Sequence, residues 1–494
     1  MPSPADEVGV ETDRRTVVQN VADLMSSQAI TWILATVLTI VQPRFLGPEG
    51  QGQLRLAYSV WMIVDVLVAL GTSTSLTLAI AKDRERGLAM IRPVLTIRAC
   101  GYVASWVAVV GYLLASGAGS TQTSVIVLIG VVSMFGSVAG TARSALLGLE
   151  YMRYPAMADV VTKIVAVVSV VTVLVLGGGV VLVAAVGVAT SALNAVLMVR
   201  FLRRFPRPNW HQTMRFVLTV SAGLMVADAA LILYQQVDTV VMSLLVGDEA
   251  LGWYATADQL FGSLLFVPTI LVTTLFPVFG RLHEQDPARL RHVISRAMAS
   301  VLLLTVPIGL GAVAIGRPLA RFLFGDEFDG AGQVLMVLGV VLIITSETIL
   351  IGRYAIATRH QRLWNVVMVA AVLLTIPLDI VLVPWTDGRY SNGAIGGALA
   401  YVVTETLMLT VGLVCFGRQV VTRATVGRMA RTFAAGFVML GVIWPLRDRP
   451  LVVPLVVGGL VYAGAIVVLR ALGPEERRAI DGATRLIRGR LGRR

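Results

Sequence analysis

A chain of 494 residues that is 56% hydrophobic and only 14% charged, with a mean hydropathy of +0.80, carries more apolar surface than a soluble core can cover. Its net charge is +12, yet the basic residues are spread over alternate loops rather than gathered into a patch, which argues against a nucleic-acid partner. Cys100 and Cys415 both fall inside apolar runs, so neither a disulfide framework nor a metal site is expected.

Apolar runs longer than about 18 residues predict membrane-crossing helices, because lipid offers backbone groups no hydrogen-bond partners. The polar residues 1–16 and the first run lack a cleavage site, so the first helix is expected to act as its own insertion signal. The hydropathy pattern predicts about fourteen crossings, at 22–42, 53–81, 93–117, 121–147, 156–177, 179–201, 214–246, 251–280, 291–316, 331–357, 363–384, 393–416, 429–446 and 451–471. The fold class is therefore an all-α polytopic membrane protein. The fifth and sixth runs are divided only by Gly177–Gly179, and the last two only by Arg447–Pro450.

Arginines follow an alternating rhythm. One set of segments holds Arg84, Arg86 and Arg92, then Arg143 and Arg153, then Arg200, Arg203 and Arg204, and continues through Arg353 and Arg359 to the basic tail. The intervening loops hold only Arg44, Arg317, Arg321, Arg389, Arg447 and Arg449. This asymmetry predicts both termini on the cytoplasmic side of the cell membrane. The tail is expected to lie on anionic membrane lipid.

Within the first run, Gln28, Thr31, Ala35, Thr39 and Gln42 fall on one stripe, which reads equally as a cavity wall or as close helix packing. Ionisable residues inside later runs are costly in lipid and must face water or one another. Asp159 and Lys163 are spaced for an internal helix pair, and Arg98 for reaching the nearer surface. Arg55 and Asp65 in the second run, Asp228 and Asp238 in the seventh, Asp258 in the eighth and Glu347 in the tenth are the stronger candidates. Gln235 is placed on one face with Asp228 and Asp238. Arginine suits a phosphate headgroup because its fork binds two oxygens, and buried carboxylates suit Na⁺ or H⁺ coupling. The same residues read alternatively as ion pairs that hold helices in register. Pro268, Pro277, Pro307 and Pro377 permit bends. No nucleotide-binding motif, cofactor motif or enzyme constellation is present in the sequence, so neither a cofactor nor catalysis is expected.

Arg44-Phe-Leu-Gly-Pro-Glu-Gly-Gln-Gly52 has a partner in Val246-Gly-Asp-Glu-Ala-Leu-Gly252-Trp-Tyr254. Gly47, Glu49, Gly52 and Ala57 match Gly247, Glu249, Gly252 and Ala257, so both copies read as loops before a long helix in a duplicated chain. Together with Leu275-Phe-Pro277 and Asn392-Gly-Ala-Ile-Gly-Gly-Ala398, the order of these motifs resembles the polysaccharide-export branch of the multidrug/oligosaccharidyl-lipid/polysaccharide flippase superfamily. The resemblance implies two six-helix lobes around a cavity, alternating access, and translocation of undecaprenyl-pyrophosphate-linked oligosaccharides. The polar ends and the matching of helices one to six with seven to twelve divide the chain into 1–16, 17–205, 206–418, 419–471 and 472–494, the last being the tail. The superfamily's peptidoglycan-precursor branch places arginines in its cavity, and Arg55 lies in a comparable helix. On this reading Arg55, Arg44, Gln28, Thr31 and Asp65 face a lipid-linked oligosaccharide, while Asp228, Asp238, Asp258 and Glu347 serve ion coupling or sugar hydroxyls. A cation-coupled drug exporter of the sibling branch and a non-transporting scaffold for cell-wall synthesis are the alternatives.

Overall fold

In the computed structural model the described backbone covers residues 4–116, 119–205 and 210–473, and within it the side chains of 4–29, 112, 115–116, 222–231, 267 and 418 are not described. The expectations for Gln28, Asp228 and the basic tail therefore lie outside the described side chains. The described secondary structure is helical: α1 Pro4–Ala69, α2 Thr72–Lys82, α3 Arg84–Leu88, α4 Ile91–Ser116, α5 Ser120–Gly148, α6 Arg153–Val175, α7 Val180–Leu202, α8 Met214–Ser243, α9 Asp248–Leu264, α10 Phe266–Gln285, α11 Pro287–Phe324, α12 Asp329–Ala357, α13 Gln361–Tyr390, α14 Ala394–Val420, α15 Arg423–Ile443 and α16 Val452–Val468. By packing, the chain divides into Met1–Thr256 and Ala257–Arg494.

The described residues contain ten helices long and apolar enough to cross a membrane, eleven if α9 and α10 form one bent span. The fourteen expected from hydropathy are thus not matched one for one. The final predicted crossing is a 17-residue apolar helix, Val452–Val468. The second predicted run is not one helix but breaks at Leu70 and Gly71, both of which have positive φ. The predicted loop around Gly47 is instead a single non-helical residue (φ 69°, ψ 175°) between two helical stretches of α1. Pro48 follows that break, at the start of a helical turn where its missing N–H costs nothing. The divisions at Gly177–Gly179 and Arg447–Pro450 fall where expected. The bend of 47° between α9 and α10 ends at Pro268. Helix starts are capped by short polar side chains: Thr213 accepts from the Phe216 N–H, Asp286 from Arg289 and Thr422 from Thr425.

Lipid removes the hydrophobic drive between helices, so small residues and polar contacts decide how they pack. In the second unit, α11 and α12 approach through two glycine pairs. A Cβ on Gly309 would lie 2.4 Å from the Gly339 carbonyl, and one on Gly316 2.8 Å from that of Gly332. The Asn392-Gly-Ala motif serves this unit structurally. Buried Asn392 donates to the Gly330 carbonyl and to Gln333 Oε1, each at 3.1 Å, tying the α13–α14 turn to the start of α12. In the first unit, fully buried Trp61 donates to the Ile126 carbonyl at 2.8 Å and packs on Trp106, 4.9 Å between ring centres.

Arg98 was expected to reach the surface, but it is 4% exposed. It donates five hydrogen bonds, two to Thr72 Oγ1, one each to Ser73 Oγ and Thr141 Oγ1, and one to the Ser137 carbonyl. It thereby clamps the start of α2, just after the break, to α5. Hydrogen bonds to a charged group are each worth roughly 1.5–3 kcal/mol and leave costly orphans when removed. Arg98→Leu is expected to lower the melting temperature of the purified protein by several degrees, and Arg98→Lys to restore little because one ammonium cannot reach both α2 and α5. Unchanged melting in both variants would remove the clamp from this account. Asp159, expected to pair with Lys163, bonds the Arg143 guanidinium of α5 at 2.6 Å instead.

Candidate functional site

The strongest polar feature of the first unit is a seam where the second stretch of α1, and then α2, run antiparallel to α8. Gln53 Nε2 donates to Asp248 Oδ2 (3.2 Å) just beyond the end of α8. Arg55 donates through Nε and an NH2 to Thr239 Oγ1 (3.4 and 3.5 Å). Ser59 Oγ donates to Gln236 Oε1 (2.9 Å), and Ser75 Oγ lies 2.6 Å from Ser221 Oγ. Thr239, Gln236 and Ser221 are buried. The helical period places Gln236 and Thr239 one turn apart on the seam. Gln235, expected to share a face with Asp228 and Asp238, is exposed, while Asp238 is half-buried.

At the end of this seam the two copies of the repeated motif meet. A Cβ on Gly252 would lie 1.7 Å from the Pro48 carbonyl oxygen, and one on Gly52 2.0 Å from that of Asp248. Only glycine permits such an approach of two backbones. The shared glycines thus serve contact between the copies as well as the turn. Beside them, half-buried Asp238 accepts from the Tyr254 hydroxyl and from the Thr239 N–H (2.7 Å).

Arg44 is exposed beside the Gly47 break. Thr31 is half-buried, and Thr39 on the same stripe bonds the Ala35 carbonyl of its own helix at 3.0 Å. Asp65 is held away from the seam partners of Arg55. It accepts from the Tyr102 hydroxyl and from Ser133 Oγ (3.1 Å) on α4 and α5. Asp258 lies half-buried in the second unit. There too is Glu347, 4% exposed on α12, with neither carboxylate oxygen hydrogen-bonded among the described residues. Buried carboxylates in folded proteins nearly always have a partner, which sets Glu347 apart. Sequence reading names Arg55 and Asp238, which the fold places by this seam, but not Gln236, Thr239 or Tyr254. The three-residue spacing of Gln236 and Thr239, and Tyr254 inside the repeated motif, were the available signals.

A model of the family described as polysaccharide biosynthesis protein matches residues 17–283, more than half of the chain. The chain belongs to that family. A curated relative, the probable low-salt glycan biosynthesis flippase of Haloferax volcanii, is 23% identical over 168 residues, and the match spans 34% of each protein. The chain therefore aligns with about a third of that relative's length. Among solved structures, the lipid II flippase MurJ in an inward closed conformation matches 92% of this chain and 99% of its own, with a TM-score of 0.71 at 13% identity. An inward-facing multidrug resistance MATE family transporter of the MOP superfamily matches 80% and 98%, with a TM-score of 0.67 at 13% identity. This polysaccharide biosynthesis family member is thus a multi-pass membrane protein with the fold shared by MurJ and the MATE transporters.

Proposed function

We propose that this chain is a flippase that translocates lipid-linked oligosaccharides, carried on undecaprenyl pyrophosphate, across the cell membrane for surface polysaccharide synthesis by alternating access. The observation that carries this reading is the family match over residues 17–283, on a chain with a transporter fold. Arg55 supports it as a guanidinium half-buried on a polar helix seam, a placement suited to a pyrophosphate. The arginine asymmetry supports cytoplasmic termini, with Arg84, Arg143 and Arg200 at the cytoplasmic ends of their helices and Arg44 on the outer side. The lobe division 17–205 and 206–418, with 419–471 appended, is part of the same proposal.

The test is leaflet exchange of a fluorescent polyprenyl-pyrophosphate sugar in vesicles containing the purified protein. Exchange above protein-free vesicles supports the reading. Absence of exchange together with efflux of a cationic dye would favour drug export instead, the alternative that the MATE-like fold keeps in view.

Glu347 is the coupling acid of this proposal, with Na⁺ or H⁺ as its ligand. Glu347→Gln keeps the size and removes the charge. The variant is expected to lose at least tenfold of any rate increase produced by an imposed Na⁺ or pH gradient, while keeping its melting temperature. A gradient response equal to wild type would remove Glu347 from coupling.

A further inference from the structure

The end of the first unit opposite its arginine-rich turns holds a cleft of about 400 Å³. Three places in the chain build it: the Gly47 break of α1, the start of α5, and the Gly177–Gly179 turn between α6 and α7. Phe45 stands at its edge, 51% exposed. Glu49 and Gln53 supply the polar wall. Buried Gln53 donates to Glu49 Oε1 at 3.4 Å while also bonding Asp248, so the carboxamide is held in place and Glu49 is oriented by it. Thr121 adds a hydroxyl from α5. No lysine or arginine is among the described lining residues.

The glycine turn contributes by what it lacks. Gly177 needs its freedom, having φ 81°. Gly179 does not: its backbone is extended, and a Cβ there would meet nothing within 4 Å. Neither strain nor packing demands a glycine at 179, but any larger side chain would project into open space beside the cleft.

We propose that this cleft binds neutral sugar units, hexose or N-acetylhexosamine, on the side of the membrane away from the arginine-rich turns; the idea rests on the flippase reading for its biological sense. Three features select that chemistry. An exposed aromatic ring offers an apolar face to the C–H side of a pyranose. A carboxylate, an amide and a hydroxyl match a ligand rich in hydroxyl donors and acceptors. Glu49 in the polar wall, with no lysine or arginine among the described lining residues, disfavours phosphate and uronate groups, which carry the same sign. The volume falls in the range of small-ligand sites, about 300 Å³ and upward.

The experiment uses the full-length protein in lipid nanodiscs and saturation-transfer NMR with chitotriose, maltotriose and trigalacturonate. The expected result is transfer to at least one neutral trisaccharide and none to trigalacturonate. Phe45→Ala and Gly179→Phe should each weaken that binding at least tenfold without changing the melting temperature, because one side chain is exposed and the other site is open. The proposal is overturned if neither neutral sugar binds, if both variants bind as wild type, or if trigalacturonate binds equally well. Leaflet exchange measured on the same preparation separates the two readings. Exchange without sugar binding sinks the cleft alone, whereas sugar binding without exchange leaves the cleft standing and sinks the flippase.

Discussion

Gly252→Ala should reduce translocation at least tenfold and lower the melting temperature, with Gly52→Ala close behind. The added methyl at 252 would sit 1.7 Å from the Pro48 carbonyl oxygen and 2.5 Å from its carbon, both backbone atoms that cannot rotate away. At 52 the obstruction is the Asp248 carbonyl at 2.0 Å. The relief is to part α1 from the start of α9 by more than an ångström. That displacement would stretch the neighbouring Gln53–Asp248 bond and the Arg55–Thr239 contact. Overpacking of this kind costs about 1–3 kcal/mol where side chains can adjust, and more where they cannot. Gly247→Ala is the control from the same motif. Its Cβ would meet nothing within 4 Å, so melting and transport should match wild type. Equal behaviour of Gly252→Ala and Gly247→Ala would show that the contact between the two motifs carries no weight.

Arg55→Ala should reduce leaflet exchange of a pyrophosphate-linked sugar by about a hundredfold or more and leave the protein folded and inserted. The guanidinium is only half-buried, and its bonds to Thr239 are long, at 3.4 and 3.5 Å. The contacts of Arg98 are shorter, running from 2.7 to 3.1 Å, and that side chain is almost fully buried. A pyrophosphate needs charge and directed donors together, and Arg55 supplies both. Arg55→Lys keeps the charge without the fork and should recover part of the rate, on the order of a tenth. Measurement of exchange rates beside melting curves separates this from a structural role. A wild-type rate in Arg55→Ala would overturn the headgroup assignment. Loss of both rate and thermal stability would place Arg55 with Arg98 among the residues that hold helices together.

Much of the architecture was legible in the residues themselves. Hydropathy and the rule that lipid satisfies no backbone group determine a helical membrane protein. Glycine runs such as Gly177–Gly179 mark the turns because helices end there for local reasons. The order of the motifs, beginning at Arg44–Gly52, resembled the family that the comparison finds. The number of crossings was less legible. A window of apolar residues does not register a break such as Leu70–Gly71, where only two backbone angles change. Nor does it register that the apparent loop at Gly47 is a single residue.

What each polar residue touches was decided by tertiary structure alone. Periodicity assigns Gln235, Gln236, Asp238 and Thr239 to a helix but cannot say which side meets α1. Among them, Gln236 and Thr239 are buried on the seam and Gln235 is exposed. Arg98 and Arg55 look alike in the sequence, each an arginine inside an apolar run, yet one is a buried clamp and the other a half-buried donor. In lipid the apolar faces of helices are nearly interchangeable, so pairing is chosen by a few polar contacts and by glycines that let backbones touch. Those choices depend on which residues, far apart in the chain, arrive at the same depth. Composition and hydropathy determined the helical membrane character, and the motifs resembled the family that the comparison finds. The meeting of Gly52 with Gly252, the seam at Arg55 and the burial of the Glu347 carboxyl came only from the packing of the folded chain.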